Sequence, residues 1–167
     1  DACEEQEAAA TLVNVEGVAI LANIARTIGA TLVHISTDYV FSGSQDRPYR
    51  ETDPVGPLSA YGRSKLKGEQ AVLDSGLESF YIIRTSWLFG PGGKNFVETI
   101  LRLAQDREEL RVVADQVGSP TYTADLVDAI FNLPGTPSSP QANSRAPYGI
   151  YHFANSGRCS WHEFACA

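Results

Sequence analysis

The sequence predicts an α/β fold, the later part of a doubly wound parallel sheet covered by helices. Two helical patterns are each followed by a nearly continuous apolar strand, over residues 31–35 and 79–84. Strands of this kind are typical of parallel sheets, because both of their faces are covered. Polar residues follow both strands at the carboxyl end, which is where open α/β sheets bind ligands.

The first helix is predicted from about Ala10 to Ile28. Its apolar residues recur every three or four positions, and Gly29 supplies the stop signal. The strand over residues 31–35 follows directly. Residues 39–58 then carry glycine and proline among polar groups, which predicts a long irregular connection. A connection of this length inside a domain is usually functional.

The next helix is predicted to begin after Ser59, a candidate N-cap, and to run to about Asp74. It places Tyr61 and Lys65 four residues apart, on one helical face. The reference pKa of tyrosine is about 10, so a tyrosine that acts near pH 7 needs a cation that favours the phenolate. We expect Lys65 to be that cation.

The remaining elements are predicted from apolar runs and capping residues. Asn95 and Ser160, each with a glutamate three residues later, resemble capping boxes that start helices. A proline- and serine-rich loop is expected over residues 134–148. The other predicted elements are a strand around 111–113, a helix from the N-cap Thr123 to Leu133, and a strand over 149–154.

Composition excludes several classes of function. The 167 residues carry a net charge of -7 without clusters of Lys or Arg, which argues against a nucleic-acid partner. No apolar run approaches the roughly 18 residues that would suggest a membrane span, so we expect no membrane partner. The three cysteines and three histidines show no zinc-ligand spacing, which fits a reducing cytoplasm.

Four stretches of the chain resemble the dTDP-4-dehydrorhamnose reductase family, within the extended short-chain dehydrogenase/reductase superfamily. They cover most of residues 34–130 and read VHISTDYVFSG, YRETDPVGPLSAYGRSKLKGE, IIRTSWLFGPGGKNFVETILRLA and VVADQVGSPTYTADLVDAI. The family begins with a strand and a glycine-rich turn that would precede residue 1. The chain is therefore expected to be a fragment, since it also lacks methionine and opens on an acidic run.

The resemblance implies a Rossmann-like sheet, incomplete at its amino end, with a small carboxyl-terminal substrate-binding lobe. Residues 1–87 would form the later part of an NAD(P)-binding domain. Residues 88–167 would form the lobe, interleaved with Rossmann elements that return at about 123–133 and 149–154.

The resemblance also implies roles for individual residues. Tyr61 would donate the proton to a substrate carbonyl, and Lys65 would lower the pKa of Tyr61. Both would contact the cofactor, Lys65 through the nicotinamide ribose. Thr37 would hold the carbonyl oxygen, while Asp38 and Trp87 would contact the nucleotide sugar. Alternative roles are a strand-end cap for Asp38 and a core aromatic for Trp87.

Thr37 is preferred over Ser36 because a regular strand would point the side chain of Ser36 to the other face. Glu51 and Asp53 could form an acidic cluster with Asp38, but acidic residues in an irregular loop are more often solvated. We therefore predict no metal site from the residues, although some members of the family use Mg²⁺.

The implied activity is reduction of a nucleotide-linked 4-keto sugar, dTDP-4-dehydro-L-rhamnose, by NADPH or NADH. The choice between the two cofactors is left open, as is a homodimer. Two alternatives share the fold: another nucleotide-sugar enzyme, such as an epimerase or dehydratase, and a non-catalytic subunit like the regulatory subunit of methionine adenosyltransferase.

Overall fold

The chain divides into two units in a computed structural model that describes residues 2–133 and 146–167. The first unit comprises Asp1–Arg84 and Pro147–His152, and the second comprises Thr85–Ala146 and Phe153–Ala167. Most of the loop predicted over residues 134–148 lies outside the described residues.

The first unit opens on a helical run that is longer than predicted. It consists of α1 (Ala2–Glu5), α2 (Glu7–Thr11), one π-helical turn (Leu12–Glu16) and α3 (Gly17–Ile28). Gly29 ends α3 in the left-handed conformation, with φ of 68°, as a C-terminal glycine commonly does. The stop signal at Gly29 is thereby confirmed.

The expectation that no apolar run is long enough to cross a membrane was wrong. The helical run Glu7–Ile28 has 22 residues and is long and apolar enough to cross a membrane, by length and composition only. Of its most apolar stretch, 17% is buried. Its apolar residues are interrupted by Asn14, Glu16, Asn23 and Arg26, so the run contains no long uninterrupted hydrophobic string. A core helix of a soluble protein passes the same test, and α3 buries Ala22 completely.

A sheet with the strand order β1-β2-β6 forms the centre of the first unit. Its strands are β1 (Leu32–Thr37), β2 (Phe80–Thr85) and β6 (Gly149–Phe153), close to the predicted positions. Val18 and Ala22 of α3 pack with Val72 and Ile82 in the core cluster of this unit. The carboxyl end of β1 carries the hydroxyl residues that the sequence placed there.

Helix α4 (Ala60–Asp74) carries the predicted site residues. Its N-cap is Ser59, whose hydroxyl accepts a hydrogen bond from the backbone N–H of Gly62 at 3.0 Å. The carboxylate of Glu4 accepts from the first amide of the helix, Ala60, at 2.6 Å. The predicted start and end of this helix are therefore confirmed.

A 3₁₀ helix, Asp38–Val40, follows β1 and lies against the start of α4. A Cβ atom at Gly62 would lie 2.3 Å from the carbonyl oxygen of Tyr39. Only glycine fits this approach, because real Cβ atoms essentially never come so close. Gly62 thereby sets the separation between α4 and the end of β1.

The second unit is built from short strands and three helices within the described residues. Its strands pair as β3 (Leu88–Phe89) with β5 (Thr121–Tyr122), in parallel, and as β4 (Val117–Gly118) with β7 (Cys159–Ser160), antiparallel. The helices are α5 (Phe96–Asp106), α6 (Thr123–Asn132) and α7 (Trp161–Cys166).

Capping explains where two of these helices begin. Asn95 accepts from the amide of Glu98 at 3.1 Å, and Ser160 forms a full capping box with Glu163. Thr123, in contrast, is the first residue of α6 and not its N-cap, which is Tyr122. The backbone of α6 starts directly from β5, so no capping side chain intervenes.

One other expectation for the second unit differs from the structure. No strand forms at residues 111–113 in the described part of the chain, where Val113 accepts one backbone hydrogen bond, from His162 at 3.0 Å. Helix α6 lies in the second unit, and its predicted return to the Rossmann sheet stays a prediction. It continues from β5, which is held by β3 of the same unit.

Candidate active site

Thr37 ends β1 with a buried side chain, 5% exposed. Its hydroxyl accepts from the amide of Tyr39 at 3.2 Å and lies 3.2 Å from the carboxylate of Asp38. The same side chain lies close enough to Tyr61 to influence the pKa of its phenol. The structure therefore brings together the hydroxyl and the phenol that the sequence singled out.

Tyr61 lies half-buried in the first turn of α4. Its ring meets the ring of Tyr39 edge to face, with centroids 6.0 Å apart. Burial raises the pKa of Tyr61 above its ordinary value, the hydrogen bond with Thr37 opposes that rise, and the nearby charge of Asp38 adds to it. The expected lowering of this pKa by Lys65 is not found, because burial dominates.

Lys65 lies one helical turn after Tyr61. Its ammonium group donates a hydrogen bond to the backbone carbonyl of Ile35 in β1, at 2.7 Å. Burial lowers the pKa of Lys65, and the carboxylate of Glu69 opposes this by raising it. The lysine is thus fixed against the strand that carries Thr37.

Asp38 is the first residue of the 3₁₀ helix and is half-buried. Burial raises the pKa of its carboxyl group, while hydrogen bonds from Thr37 and from the backbone oppose the rise. These bonds also satisfy backbone donors at the strand end.

A buried ion pair between Glu69 and Arg84 lies beside these groups. Arg84 Nε donates to Glu69 Oε1 at 3.0 Å, and Nη2 donates to Oε2 at 2.7 Å. The hydroxyl of Ser36 donates to the same Glu69 Oε1.

The loop after β1 packs through Phe41, whose ring stacks on Tyr49 with centroids 4.3 Å apart. Its two acidic candidates have protein partners. The side chain of Glu51 accepts from the backbone N–H of His152 at 3.0 Å, and Asp53 pairs with Arg47 at 2.8 Å. Nowhere in residues 2–133 and 146–167 do three or more His, Cys, Asp or Glu residues group to hold a metal ion.

Trp87 lies in the second unit and is half-buried. Its ring stacks on Trp161, with centroids 3.6 Å apart and an interplanar angle of 11°. Gly118 lies against the indole, and a Cβ atom there would come within 2.5 Å of it. The backbone of Trp87 has φ of 48°, unusual for a bulky residue. Trp87 is therefore part of an aromatic cluster with Trp161 and Phe96.

Sequence reasoning missed Glu69 and Arg84. Two signals were available: Glu69 follows Lys65 by four residues, and Arg84 interrupts the apolar strand Phe80–Thr85. An arginine within a buried strand requires a partner. Their pairing across 15 positions of the chain is a tertiary contact, which local patterns do not specify.

Comparisons with known proteins agree on one family. A family model described as the RmlD substrate binding domain matches residues 1–167. The chain is 50% identical over 167 residues to the spore coat polysaccharide biosynthesis protein SpsK of Bacillus subtilis, covering all of the chain and 55% of that protein. It is 46% identical to a dTDP-4-dehydrorhamnose reductase of Burkholderia thailandensis, again over the whole chain and 56% of the relative.

A solved structure confirms the α/β fold. The crystal structure of dTDP-4-dehydrorhamnose reductase from Bacillus anthracis, in complex with NADP, superposes with a TM-score of 0.89 at 44% identity. The match covers 99% of this chain and 56% of that one. The chain thus spans about half the length of the relatives it matches.

Proposed function

Because this chain belongs to the RmlD substrate-binding domain family, we propose that the full-length protein is an NAD(P)H-dependent reductase of a nucleotide-linked 4-keto sugar. The proposed substrate is dTDP-4-dehydro-L-rhamnose, and the product is dTDP-L-rhamnose for polysaccharide synthesis. The names of the two relatives support this substrate and this use. The observation that carries the proposal is the proximity of the Thr37 hydroxyl to the Tyr61 phenol, with Lys65 fixed to the carbonyl of Ile35 one turn further along α4.

In the proposed reaction, the substrate carbonyl lies beside Thr37 and accepts a hydrogen bond from Tyr61. The reduced nicotinamide, when bound, supplies a hydride to C4 of the sugar. Tyr61 donates its proton to the oxygen as negative charge develops there. The raised pKa of Tyr61 keeps the phenol protonated before the reaction, and the charge of Lys65 stabilises the phenolate left afterwards.

The donor groups of the first unit fit a nicotinamide cofactor. An ammonium group has three N–H donors, and Lys65 uses one of them on the carbonyl of Ile35. The others suit the two hydroxyls of a ribose. We propose NADPH as the cofactor, with NADH as the alternative, because the Bacillus anthracis structure contains NADP. No step requires Mg²⁺.

We assign the cofactor side of the site to the first unit, where Asp38 would contact the nucleotide sugar. A contact of Trp87 with that sugar stays a prediction. Within the described residues, Cys3, Cys159 and Cys166 form no disulfide, which supports a reducing cytoplasm as the location. A homodimer is compatible with this proposal and can be tested by sedimentation of the full-length protein.

The test compares two variants of the full-length protein with the unaltered enzyme. Tyr61→Phe removes only the phenolic hydroxyl, the proposed proton donor, so turnover should fall about 100-fold to 10,000-fold while cofactor affinity stays nearly unchanged. Lys65→Ala should lower turnover and weaken cofactor binding as well. Absorbance of NADPH gives the rate, and calorimetric titration gives the affinity.

The stoichiometry of the reaction separates the alternatives. A reductase consumes one NADPH for each sugar reduced, whereas an epimerase or dehydratase regenerates its cofactor within the site. Turnover of Tyr61→Phe within threefold of the unaltered enzyme would reject Tyr61 as the acid. A full-length protein that binds no cofactor and turns over no sugar would instead indicate a regulatory subunit.

A further inference from the structure

The buried contacts among Ser36, Glu69 and Arg84 form one network beneath the proposed catalytic groups. We infer that this network positions Tyr61 and Lys65 for the reaction by fixing α4 against β1 and β2. The inference rests on the proposed function, and it makes Ser36, Glu69 and Arg84 positioning residues that need not touch the substrate.

Helical spacing places Glu69 on the catalytic face of α4. It follows Lys65 by four residues and Tyr61 by eight, and residues at this spacing lie one above another on a helix. The side chains of Glu69 and Arg84 are 2% and 4% exposed. Glu69, the last of these three residues, is therefore buried where water does not compete for its carboxylate.

The ion pair has a geometry that fixes orientation as well as distance. Arg84 donates two nearly parallel hydrogen bonds, of 3.0 and 2.7 Å, to the two carboxylate oxygens of Glu69. A planar guanidinium matched to a carboxylate in this way permits little sliding or rotation. Since Arg84 belongs to β2, the pair fixes α4 relative to the sheet.

The network also reaches the residue next to Thr37. The hydroxyl of Ser36 donates to Glu69, so the same carboxylate of α4 binds both Arg84 of β2 and the end of β1. Arg84 further donates to the carbonyl of Glu51 at 3.4 Å, and its guanidinium lies 5.0 Å from the ring centroid of Phe41. Arg84, which belongs to β2, thereby contacts both α4 and the loop after β1.

Stability alone does not account for this arrangement. Removing two charges from water opposes their attraction, and well-packed apolar residues of similar volume are often as stabilising or more so. An apolar pair would, however, allow α4 to slide or rotate. Displacement of a catalytic group by about 1 Å can lower a rate about 100-fold, so a fixed helix matters more to turnover than to folding.

The decisive variant is the double substitution Glu69→Leu with Arg84→Met in the full-length protein. It removes both charges together, so neither is left buried without a counter-ion. We expect thermal unfolding near that of the unaltered protein, kcat lower by about 10-fold to 100-fold, and KM for the sugar changed less than about threefold. Asp74→Asn, an exposed carboxylate on the same helix, is the matched control and should keep its kcat.

Ser36→Ala is the second variant, and it retains the ion pair. We expect it to fold and to lower kcat severalfold without an equal change in KM. Unaltered kcat in the folded double variant overturns the inference, and so does unaltered kcat in Ser36→Ala if the double variant does not fold. An unaltered protein without reductase activity overturns the proposed function instead.

Discussion

At the scale of single residues, burial dominates the ionisation of the groups around α4. It raises the pKa values of Tyr61 and Asp38 and lowers that of Lys65. In each case burial disfavours the charged form. For the proposed reaction this means that the acid is kept protonated until a substrate oxygen develops charge beside it.

His34 provides a pH-dependent test of this burial. It lies on β1, 9% exposed, and burial, helped by the charge of Lys65, lowers its pKa from 6.5 to about 4. The unfolded chain therefore binds this proton near pH 6.5 and the folded chain does not. Stability from this source is complete above pH 6.5 and is lost as the pH falls towards 4. We expect a loss of about 2 kcal/mol between pH 7 and pH 5.

The measurement is urea unfolding of the unaltered protein and of His34→Gln at both pH values. The variant has no proton to bind at this position, so its stability should fall by less over the same interval. His162→Gln, at an exposed histidine, is the control and should follow the unaltered protein. Parallel losses in His34→Gln and the unaltered protein would show that His34 titrates normally.

Substitution of Trp87 tests whether its ring serves mainly to stack on Trp161 or to contact the substrate. From sequence alone we placed it beside the sugar and outside the core, but its ring is stacked on Trp161. Trp87→Ala should therefore lower the free energy of unfolding by about 3 kcal/mol, as truncation of a packed aromatic does. Because φ is 48°, Trp87→Gly should be no less stable than Trp87→Ala, against the usual preference for alanine.

Chemical denaturation of the unaltered protein, Trp87→Ala and Trp87→Gly measures both differences in the free energy of unfolding. A raised KM in Trp87→Ala with a loss of stability below about 1 kcal/mol would instead favour a ring held mainly for the substrate.

At the scale of elements, the contact between α4 and the 3₁₀ helix makes activity sensitive to one methyl group. Gly62→Ala places a Cβ atom against the carbonyl of Tyr39, so α4 has to move away from the end of β1. We expect kcat to fall about 10-fold or more, although alanine is the better helix former. Steady-state kinetics of the full-length protein measures this.

Gly17→Ala is the matched control within α3. A Cβ atom there meets the nearest oxygen at 3.6 Å, an ordinary contact. This variant should gain up to about 1 kcal/mol of stability and keep its kcat. Equal kcat in both alanine variants would mean that α4 can shift without disturbing Tyr61.

Local signals were enough to predict the elements that carry the site. Ser59 and Ser160 cap their helices as their sequence contexts indicated, because an N-cap depends on residues within one turn. The spacing of Tyr61 and Lys65 likewise predicted a shared face. Local patterns could not predict which residue faces this side of α4, because Arg84 belongs to β2.

Elements that depend on distant partners were predicted less well. The apolar residues at 111–113 suggested a strand, but a strand requires a neighbour, and this segment makes one backbone contact with His162. The π-helical turn was not anticipated either. Asn14 within it donates to the hydroxyl of Ser64 in α4 at 3.0 Å, so its conformation is tied to another helix.

At the scale of the whole molecule, the helical run before β1 leaves large apolar side chains in solvent. Six of them are at least half exposed: Leu12, Val13, Ile20, Leu21, Ile24 and Ile28. An exposed apolar face of this extent favours association. We expect the 167-residue chain, prepared on its own, to self-associate at micromolar concentration, as sedimentation velocity would show.

Replacing two residues of this face, Ile20→Lys with Ile24→Lys, should shift the 167-residue chain towards the monomer. Leu101→Lys, at a leucine of the second unit that is 61% exposed, is the control and should leave association unchanged. A monomeric unaltered chain would contradict the expectation. So would a Leu101→Lys variant that changes association as much as the double substitution does.

The π-helical turn at Leu12–Glu16 has a consequence for insertions and deletions. Each residue of an α-helix advances the chain by about 100° around the helix axis. The extra residue in a π-helical turn therefore rotates all helical residues before it about that axis. Deleting one residue there would leave composition and helicity almost intact. It would nevertheless rotate Glu4 away from the amide of Ala60 that it binds. Single-residue length changes should therefore be far less tolerable in this turn than substitutions.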